Sequence, residues 1–368
     1  MKWQRITPFE SNKTQQEIWI CEDINYYKKH SVEVTFGKPI DILSLKINIV
    51  DNFEKKVSER RNLSLSVYQS KDNLERVVKC PICKYPSDSA KEVLNIYGGS
   101  YCRCENCSHY FILERTKEEY FKNFYKTNIE AQSIYADKST LKTRIEQVVI
   151  PKAKYVIQQY KKNYGRLPRY ILDVGAGSGH FVYACQKLGV SCEGIEISDS
   201  GREFCKDNFN IELLDVDFMK KSDKFNYDIV TFWGVIEHVS YPLEMLKTSK
   251  DALGKKGMVA VEVPRWDSFS TAVHTALPES VIRHLDSLQH IQCFSDSSLA
   301  TAFTLSNYEI IAAWYFGMDA YELMTQISYA LNDNNVIDRM GKHIPTLQIS
   351  LDLAKLSDGM VLCGIPKN

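Results

Sequence analysis

The fold of this chain is decided by the stretch Ile171-Leu172-Asp173-Val174-Gly175-Ala176-Gly177-Ser178-Gly179-His180-Phe181. A mostly apolar run that contains one acid is followed by glycines at three alternate positions, which lead into a helical pattern. This order predicts a buried strand, a tight turn and a helix N-terminus, where backbone N–H groups can approach a nucleotide-like ligand closely. The glycines alone suit either a nicotinamide cofactor or a methyl donor, so the flanking sequence has to distinguish the two.

Strands and helices alternate downstream of this turn. The predicted strands cover 190–197, 211–214, 225–233 and 257–263, with helices that begin at Ser198-Asp199 and span 243–253. The alternation predicts an α/β fold with a doubly wound, mostly parallel sheet. Glu196 ends the second strand, twenty-three residues beyond Asp173. A carboxylate at this position would accept the ribose hydroxyls of a nucleoside.

With these elements the sequence resembles the class I S-adenosylmethionine-dependent methyltransferases, from Ile171 to about Asp319. The matching motifs are LDVGxGxG at 172–179, GIEIS at 194–198, EHV at 237–239 followed by Pro242, and H-x-x-x-F-S at 290–295. The resemblance implies a Rossmann-like sheet and S-adenosylmethionine as the cofactor. It is strongest to a subgroup common in bacterial polysaccharide, nucleotide-sugar and secondary-metabolite pathways, some members of which carry a zinc ribbon upstream.

The resemblance implies which residues hold the methionine end of the cofactor. Gly175, Ala176 and Gly177 would wrap around it, and Asp173 would order the turn or reach the cofactor's amino group. Trp233 ends the fourth predicted strand, so its ring would form a floor or a wall beside the sulfonium.

The resemblance also implies which residues hold the nucleoside. Glu196 would bind both ribose hydroxyls, and Ile197 would lie against the adenine. Asp217 would meet the adenine amino group, with Asp215 as the less favoured alternative. The two aspartates stay open because the alignment between the strands is loose.

Three residues are candidates for the chemistry at the acceptor. His238 is the first candidate base because it follows the fourth strand, at the sheet edge where ligands bind; the alternative is a structural role bracing the next helix. Glu237 would orient His238 or the substrate. His290 is a second candidate base, with a satisfied core histidine as the alternative. Similar small-RNA and ubiquinone-pathway O-methyltransferases have a further glutamate three residues before the EHV glutamate. Gly234 stands there in this chain, which argues against a catalytic magnesium or zinc.

The segment 76–115 is predicted to be a zinc ribbon. Cys80-Pro81-Ile82-Cys83 and Cys104-Glu105-Asn106-Cys107 form two CxxC knuckles, and the residues between them can form a hairpin. Two knuckles at this separation are typical of a closed, structural Cys₄ zinc site. Cys102 and His109 are spare candidates for the ligand set.

The remaining segments flank these two units. Alternating apolar residues predict short strands near 18–20, 32–36, 43–49 and 63–67, so residues 1–75 are interpreted as a small antiparallel β-module. It would serve docking or dimerisation into a homo-oligomer, with substrate recognition as the alternative.

The methyltransferase domain would span 116–368, with a helical lid at 116–165 and an insertion at 264–305 that covers the acceptor. The cations of that insertion could meet a phosphate or carboxylate, but individually its candidate residues are predicted to be more surface than site. These candidates are Arg265, Trp266, His274, Arg283 and His284.

The amino-acid composition limits which classes of acceptor and which cellular location we expect. Lysine plus arginine equals aspartate plus glutamate at 46 each, and this balance argues against nucleic acid as the partner. Without a recognisable membrane span or signal peptide, we expect a cytoplasmic protein. The prediction is O-methylation of a sugar, nucleotide-sugar or surface-polysaccharide acceptor, with C-methylation of a keto-sugar as a variant. The alternatives are an RNA base methyltransferase with a zinc ribbon and a non-catalytic interaction protein.

Overall fold

The computed structural model describes residues 1–5, 14–23, 26–38, 40–46, 53–120, 123, 138–220, 226–281, 283–333 and 335–367. Its strands are β1 (Lys2–Arg5), β2 (Thr14–Asp23), β3 (Tyr26–Phe36), β4 (Leu74–Arg76), β5 (Lys91–Ile96), β6 (Gly99–Arg103), β7 (Tyr110–Ile112), β8 (Glu114–Thr116), β9 (Tyr170–Val174), β10 (Ser191–Ile195), β11 (Tyr227–Trp233), β12 (Leu253–Pro264), β13 (Gln292–Cys293), β14 (Tyr308–Phe316) and β15 (Gly359–Pro366). Its principal helices are α1 (Ile42–Leu45), α2 (Phe53–Ser70), α3 (Ile150–Tyr164), α4 (His180–Lys187), α5 (Asp199–Phe209), α6 (Pro242–Ala252), α7 (Phe269–Ala276), α8 (Asp296–Leu305), α9 (Asp319–Leu331), α10 (Asn335–Met340) and α11 (Ile344–Leu353).

The central sheet has the strand order β1-β2-β3-β14-β15-β12-β11-β9-β10. Strands β9 to β12 are mutually parallel where they pair, and β15 lies antiparallel between β12 and β14. From β9 the chain crosses over to β10 on one side, whereas from β11 it crosses to β12 on the other. The carboxyl ends of β9 and β11 therefore flank a crevice of the kind that binds ligands in open α/β sheets. This confirms the predicted fold class.

Helices cover both faces of this sheet. Tyr160 of α3 and Phe181 of α4 belong to the core on one face, while Leu246 of α6 and Phe303 of α8 belong to the core on the other. Because both faces are covered, β11 is buried almost throughout, which is typical of a parallel strand. The predicted third strand at 211–214 is wrong in extent: it contributes a single bridge between Leu214 and Ile195.

The predicted antiparallel β-module is present as β1, β2 and β3, and it continues the central sheet. Strand β3 pairs in parallel with β14, from Glu33 opposite Ala312 to Phe36 opposite Tyr315. Since β14 and β12 both run antiparallel to β15, strand β3 has the same direction as β9 to β12. Its carboxyl end therefore emerges at the edge of the sheet where the crevice lies.

Two of the predicted N-terminal strands are wrong. The segment 63–67 belongs to α2, where Phe53, Val57, Ser64 and Val67 are buried at helical spacing. The helical spacing of buried residues extends from Phe53 to Val67, whereas the alternation of Leu63, Leu65 and Val67 covers five residues. The segment therefore forms a helix. Residues 42–45 form α1, which begins after Asp41, whose side chain accepts a hydrogen bond from the Ser44 amide. The rest of the strand predicted at 43–49 lies outside the described residues, apart from Lys46.

The helical lid predicted at 116–165 is described only in part. Tyr120 is described, whereas Phe121, Phe124 and Tyr125 lie outside the described residues. The helical turn Leu141–Thr143 and the π-helical stretch Arg144–Val149 lead into α3. No helix in the described part of the chain has the length and apolar character needed to cross a bilayer.

Asp228, at the start of β11, ties the sheet to α3. It accepts hydrogen bonds from the Tyr160 hydroxyl (2.8 Å), the Arg169 amide (2.6 Å) and the Arg166 guanidinium (2.6 Å). Burial opposes its ionisation, but the bonds from Arg166, Arg169 and Tyr160 prevail and lower the pKa of Asp228 to about 2.

Asp228→Asn is expected to lower the free energy of unfolding by about 1–2 kcal/mol at pH 7. Because the folded-state pKa lies below the ordinary value, the contribution of this carboxylate is present in full above about pH 4 and is lost as the pH falls toward 2. Urea denaturation at pH 7 and pH 3 measures the difference, with the exposed Asp207→Asn as the matched control. An equal loss at both pH values would contradict the assignment.

Candidate active site

A cavity of about 1440 Å³ opens at the carboxyl edge of the central sheet. Ligand sites for one drug-sized molecule usually measure about 300–1,000 Å³, so this cavity has room for a donor and an acceptor together. Its lining comes from the segments that follow β3, β9, β10, β11 and β12, and from α2 and α9. The cavity therefore lies where the strand order predicts a ligand.

The glycine turn after β9 forms one wall of the cavity. Gly175 and Ala176 both donate their amides to the carbonyl of Ile195, at 2.9 and 2.8 Å, which joins the turn to β10. A Cβ on Gly175 would lie 2.7 Å from Val235, whereas a Cβ on Gly177 would meet nothing within 4 Å. Both glycines have positive φ. The turn thus packs tightly on its protein side and is open at Gly177 on the cavity side.

Glu196 closes the other side of this turn. Its side chain is 4 % exposed; one carboxylate oxygen accepts the Gly177 amide at 2.7 Å and the other accepts the Ser198 amide at 2.8 Å. Burial raises the pKa of Glu196, against the lowering effect of these amides. Each carboxylate oxygen retains a further lone pair, so Glu196 can still accept hydroxyl groups from a ligand.

The other residues predicted to hold the cofactor also line the cavity: Asp173, Ile197, Asp217 and Trp233. Asp173 accepts the Thr231 hydroxyl at 2.7 Å, and burial raises its pKa to about 7. The Trp233 ring packs against Phe181, with Lys152 5.0 Å from its centre.

The two aspartates weighed for the adenine differ in their partners. Asp215 forms an ion pair with Arg202 at 3.2 Å, whereas Asp217 accepts the Met219 amide at 3.0 Å. Both side chains line the cavity.

Glu237, His238 and His290 come together in the same cavity. One oxygen or nitrogen from each lies within 4.8 Å of the others. The Nδ1 atoms of the two histidines face backbone carbonyls, His238 at 2.9 Å from Gln289 and His290 at 2.6 Å from His284. These contacts require a proton on Nδ1 and leave Nε2 as the acceptor nitrogen. The two candidate bases are thus neighbours, although fifty-two residues separate them in the chain.

Burial also shifts the protonation of this cluster. Glu237 is 2 % exposed, one of its carboxylate oxygens has no hydrogen-bond partner among the described residues, and burial raises its pKa to about 8. Burial lowers the pKa of His238 to about 3 and of His290 to about 4. Both imidazoles are therefore neutral at physiological pH, and Glu237 is the group whose proton is exchangeable near that pH.

Gly234 faces this cluster. A Cβ at Gly234 would lie 3.4 Å from a carboxylate oxygen of Glu237, so a longer side chain here would meet Glu237. The glycine leaves the cluster with one carboxylate and two imidazoles. Such a set can accept a proton, and it is also chemically suited to a divalent cation.

The four ribbon cysteines converge as predicted. The sulfur atoms of Cys80, Cys83, Cys104 and Cys107 all lie within 4.8 Å of one another, with Cys80 3.6 Å from Cys107 and Cys83 3.5 Å from Cys104. This arrangement fits one tetrahedral metal ion. The hairpin of β5 and β6 lies between the two knuckles.

The ribbon is attached directly to the side of the cavity that holds Glu237, His238 and His290. Strand β7 pairs antiparallel with β13, and the Tyr101 hydroxyl donates to the His290 carbonyl at 2.9 Å. His109 Nε2 lies 2.9 Å from the side-chain oxygen of Gln292. Gln292 in turn donates its amide to the Glu237 carbonyl and its side chain to the Val239 carbonyl. His109, a spare metal ligand in the sequence, therefore links the ribbon to the Glu237 loop.

The insertion residues interpreted as surface are mostly buried. Arg265, His274 and His284 are almost fully inaccessible, and Arg283 is half-buried with its guanidinium between Glu322 and Asp358. The interpretation as surface was wrong because their carboxylate partners are distant in the sequence, which no local pattern indicates. His274 and Arg283 meet Glu322 of α9, and Arg265 meets Asp296 of α8. Arg283 and His284 line the cavity.

Sequence reasoning also missed cavity residues from the N-terminal segment. Lys38, Lys46, Phe53, Arg60 and Leu63 all line the cavity. Lysines and arginines are usually solvated, so nothing in their local sequence separates these from surface residues.

Comparisons with known proteins agree with this geometry. Residues 152–313 match the family model of a methyltransferase domain. A ubiquinone biosynthesis O-methyltransferase from Coxiella burnetii is 31% identical over 101 residues, which are 26% of this chain and 41% of that protein. The chain thus spans about two fifths of the length of this curated relative.

Solved structures with similar folds include two with bound S-adenosylhomocysteine. A plantazolicin methyltransferase is 15% identical and covers 68% of this chain and 100% of its own, with a TM-score of 0.43. The magnesium protoporphyrin IX methyltransferase of Synechocystis is 9% identical, with the same coverage and a TM-score of 0.46. The glycine turn, the strand order and the family model together show that this chain contains a class I S-adenosylmethionine-dependent methyltransferase domain, preceded by a four-cysteine ribbon.

Proposed function

We propose that the protein transfers a methyl group from S-adenosylmethionine to an oxygen atom of a sugar, nucleotide-sugar or surface-polysaccharide acceptor. One observation carries the proposal: the glycine turn with Glu196 shares a cavity with the cluster of Glu237, His238 and His290. S-adenosylmethionine, when bound, supplies a methyl group on a cationic sulfur that an acceptor oxygen displaces in line. The partial match to a protein named as an O-methyltransferase supports oxygen as the accepting atom.

We assign the donor half of the cavity to the residues around the glycine turn. The lone pairs that remain on Glu196 bind the ribose hydroxyls, and the open face of Gly177 receives the methionine end. Their neighbours complete the donor site, with Asp173, Gly175, Ala176 and Trp233 at the methionine end and Ile197 and Asp217 at the adenine.

We assign proton removal to Glu237 and His238 acting as one unit. His238 Nε2 lies 3.8 Å from a Glu237 oxygen, too far for a direct hydrogen bond but within reach of a proton relayed through one water molecule. A catalytic base works best when its pKa lies near the working pH, and Glu237 meets this condition. His290 packs its ring 4.7 Å from that of His238 and holds it in place.

We assign a structural zinc ion to the ribbon. Four thiolates complete a tetrahedral shell and leave no open position for chemistry. Through β7 and His109 the zinc site holds the loop of Glu237 and the segment of His290 in register.

Labelled S-adenosylmethionine, incubated with the protein and fractionated cell extract, is expected to label a sugar, nucleotide-sugar or glycan fraction. Glu196→Ala is expected to abolish this labelling and to weaken S-adenosylhomocysteine binding about tenfold to hundredfold in calorimetry, because the ribose loses its carboxylate. Glu203→Ala, an exposed glutamate on α5, is the matched control. Labelling of RNA instead would contradict the acceptor assignment, and no binding of either cofactor form would contradict catalysis altogether.

Glu237→Gln is expected to lower kcat/KM by about 10²–10⁴-fold, which is the usual contribution of a general base. In the native protein kcat/KM should rise with pH through about 8, because the unit accepts a proton only once Glu237 is ionised. Glu237→Gln should lose this rise, whereas the rim variant Glu59→Gln should keep it.

The same rate profiles test a metal at this cluster. Under the proposal, EDTA and added Mg²⁺ leave the rate unchanged while the ribbon metal stays bound. A rate that falls with EDTA and is restored by Mg²⁺ would contradict proton removal by Glu237 and His238 alone and would assign them to a divalent cation.

Elemental analysis of the native protein is expected to find one zinc per chain. Cys104→Ser should lose the zinc and lower the melting temperature, because a structural zinc contributes directly to folding. Cys102→Ser is the matched control: this buried thiol belongs to the same ribbon but lies outside the four-sulfur group, so zinc should be retained. Equal zinc content in both variants would contradict the site.

A further inference from the structure

Two lysines of the N-terminal segment face the cavity without an acidic partner. Lys38 follows β3 and is only 8 % exposed, and Lys46 follows α1 and is half-buried. Among the residues that the structure describes, neither ammonium group has a carboxylate within ion-pair distance or a hydrogen-bond acceptor. The Lys38 ammonium lies 3.7 Å from the centre of the Phe316 ring, which gives it a cation–π contact.

The nearby carboxylates have other partners. Asp352, whose charge acts on Lys38, accepts hydrogen bonds from Gln348 and Ser357. Arg283 pairs with Glu322 and Asp358, which also raises the pKa of Arg283. Arg60 pairs with Asp286, and Lys152 with Glu262. These three cations of the cavity wall are therefore already in ion pairs, whereas, among the described residues, Lys38 and Lys46 are not.

An unpaired ammonium group is costly to bury. Burial, together with neighbouring cations, lowers the pKa of both Lys38 and Lys46 to about 7. The cation–π contact offsets part of this cost for Lys38, and an anion that enters the cavity would stabilise the charged form of both lysines. Since β3 runs parallel to β9–β12, its carboxyl end brings Lys38 to the same edge as the donor turn.

We propose that Lys38 and Lys46 form an anion-binding subsite for a phosphate or carboxylate group of the methyl acceptor. The inference rests on the proposed function, because it takes the acceptor to occupy this cavity. It assigns substrate recognition to the N-terminal segment and requires the acceptor to carry at least one negatively charged group. A phosphorylated sugar, a nucleotide-sugar and a uronic acid meet this requirement, whereas a neutral sugar does not.

The test is calorimetry on the full-length protein saturated with S-adenosylhomocysteine. Inorganic pyrophosphate is titrated in one arm and glucuronate in the other, which separates a phosphate source from a carboxylate source. One of the two anions is expected to bind, and Lys38→Met and Lys46→Met should each weaken that binding about tenfold or more. Lys56→Met, a lysine at the rim of the same cavity, should leave it unchanged.

Lys38→Arg serves as the second variant, since it keeps the charge and should keep most of the anion binding. Both methionine variants should melt no lower than the native protein, because methionine preserves the apolar stem and removes a buried charge. The inference is overturned if neither anion binds, or if the methionine variants bind the anion as the native protein does.

Binding of S-adenosylhomocysteine, measured in the same samples, separates this inference from the proposed function. It should be the same in all of these variants. Its loss in Lys38→Met or Lys46→Met would assign the lysine to the donor and overturn the subsite. A native protein that does not bind S-adenosylhomocysteine would overturn the proposed function itself.

Discussion

The pairing of β7 with β13 is the interaction on which the position of Glu237 and His290 in the cavity depends. Only two residue pairs form this ladder, Gln292 with Phe111 and Cys293 with Tyr110. So short a ladder is marginal by itself, and the contacts of His109 and Tyr101 reinforce it. Burial lowers the pKa of His109 to about 4, so it bonds as a neutral imidazole at every physiological pH. The ribbon thus positions the loop that carries Glu237 from a segment outside residues 152–313.

Charge pairing shapes the opposite wall of the cavity. Glu322 accepts from both His274 and Arg283, and burial of its carboxylate is outweighed by these partners, so that its pKa falls below its ordinary value. Separating the members of such a buried set would leave an uncompensated charge, which is energetically costly. This cost keeps the side chains of this wall in one arrangement. Lys38 and Lys46 differ from these residues because neither forms an ion pair with a described carboxylate, and the proposed anion would be their partner.

The N-terminal strands extend the sheet and thereby extend the site. A docking module on a separate sheet would leave the cavity to the methyltransferase domain alone. Pairing of β3 with β14 instead gives β3 the same direction as β9 to β12, and the chain that follows it forms a wall of the cavity. One sheet therefore carries the donor turn at one end and the proposed acceptor subsite at the other.

The sequence by itself determined the features that depend on neighbouring residues. The turn at Gly175–Gly179, the acid Glu196 and the two cysteine knuckles each need only local spacing, so their geometry could be predicted. Only the tertiary structure decided which distant groups meet. Three such meetings follow from the tertiary arrangement. His290 approaches Glu237, Arg283 pairs with Glu322 of α9, and Lys38 lies at the cavity because β3 joins the central sheet. Strand order depends on pairing between distant segments. The hydrophobic pattern of one strand shows which of its faces is buried but does not show which strand it pairs with.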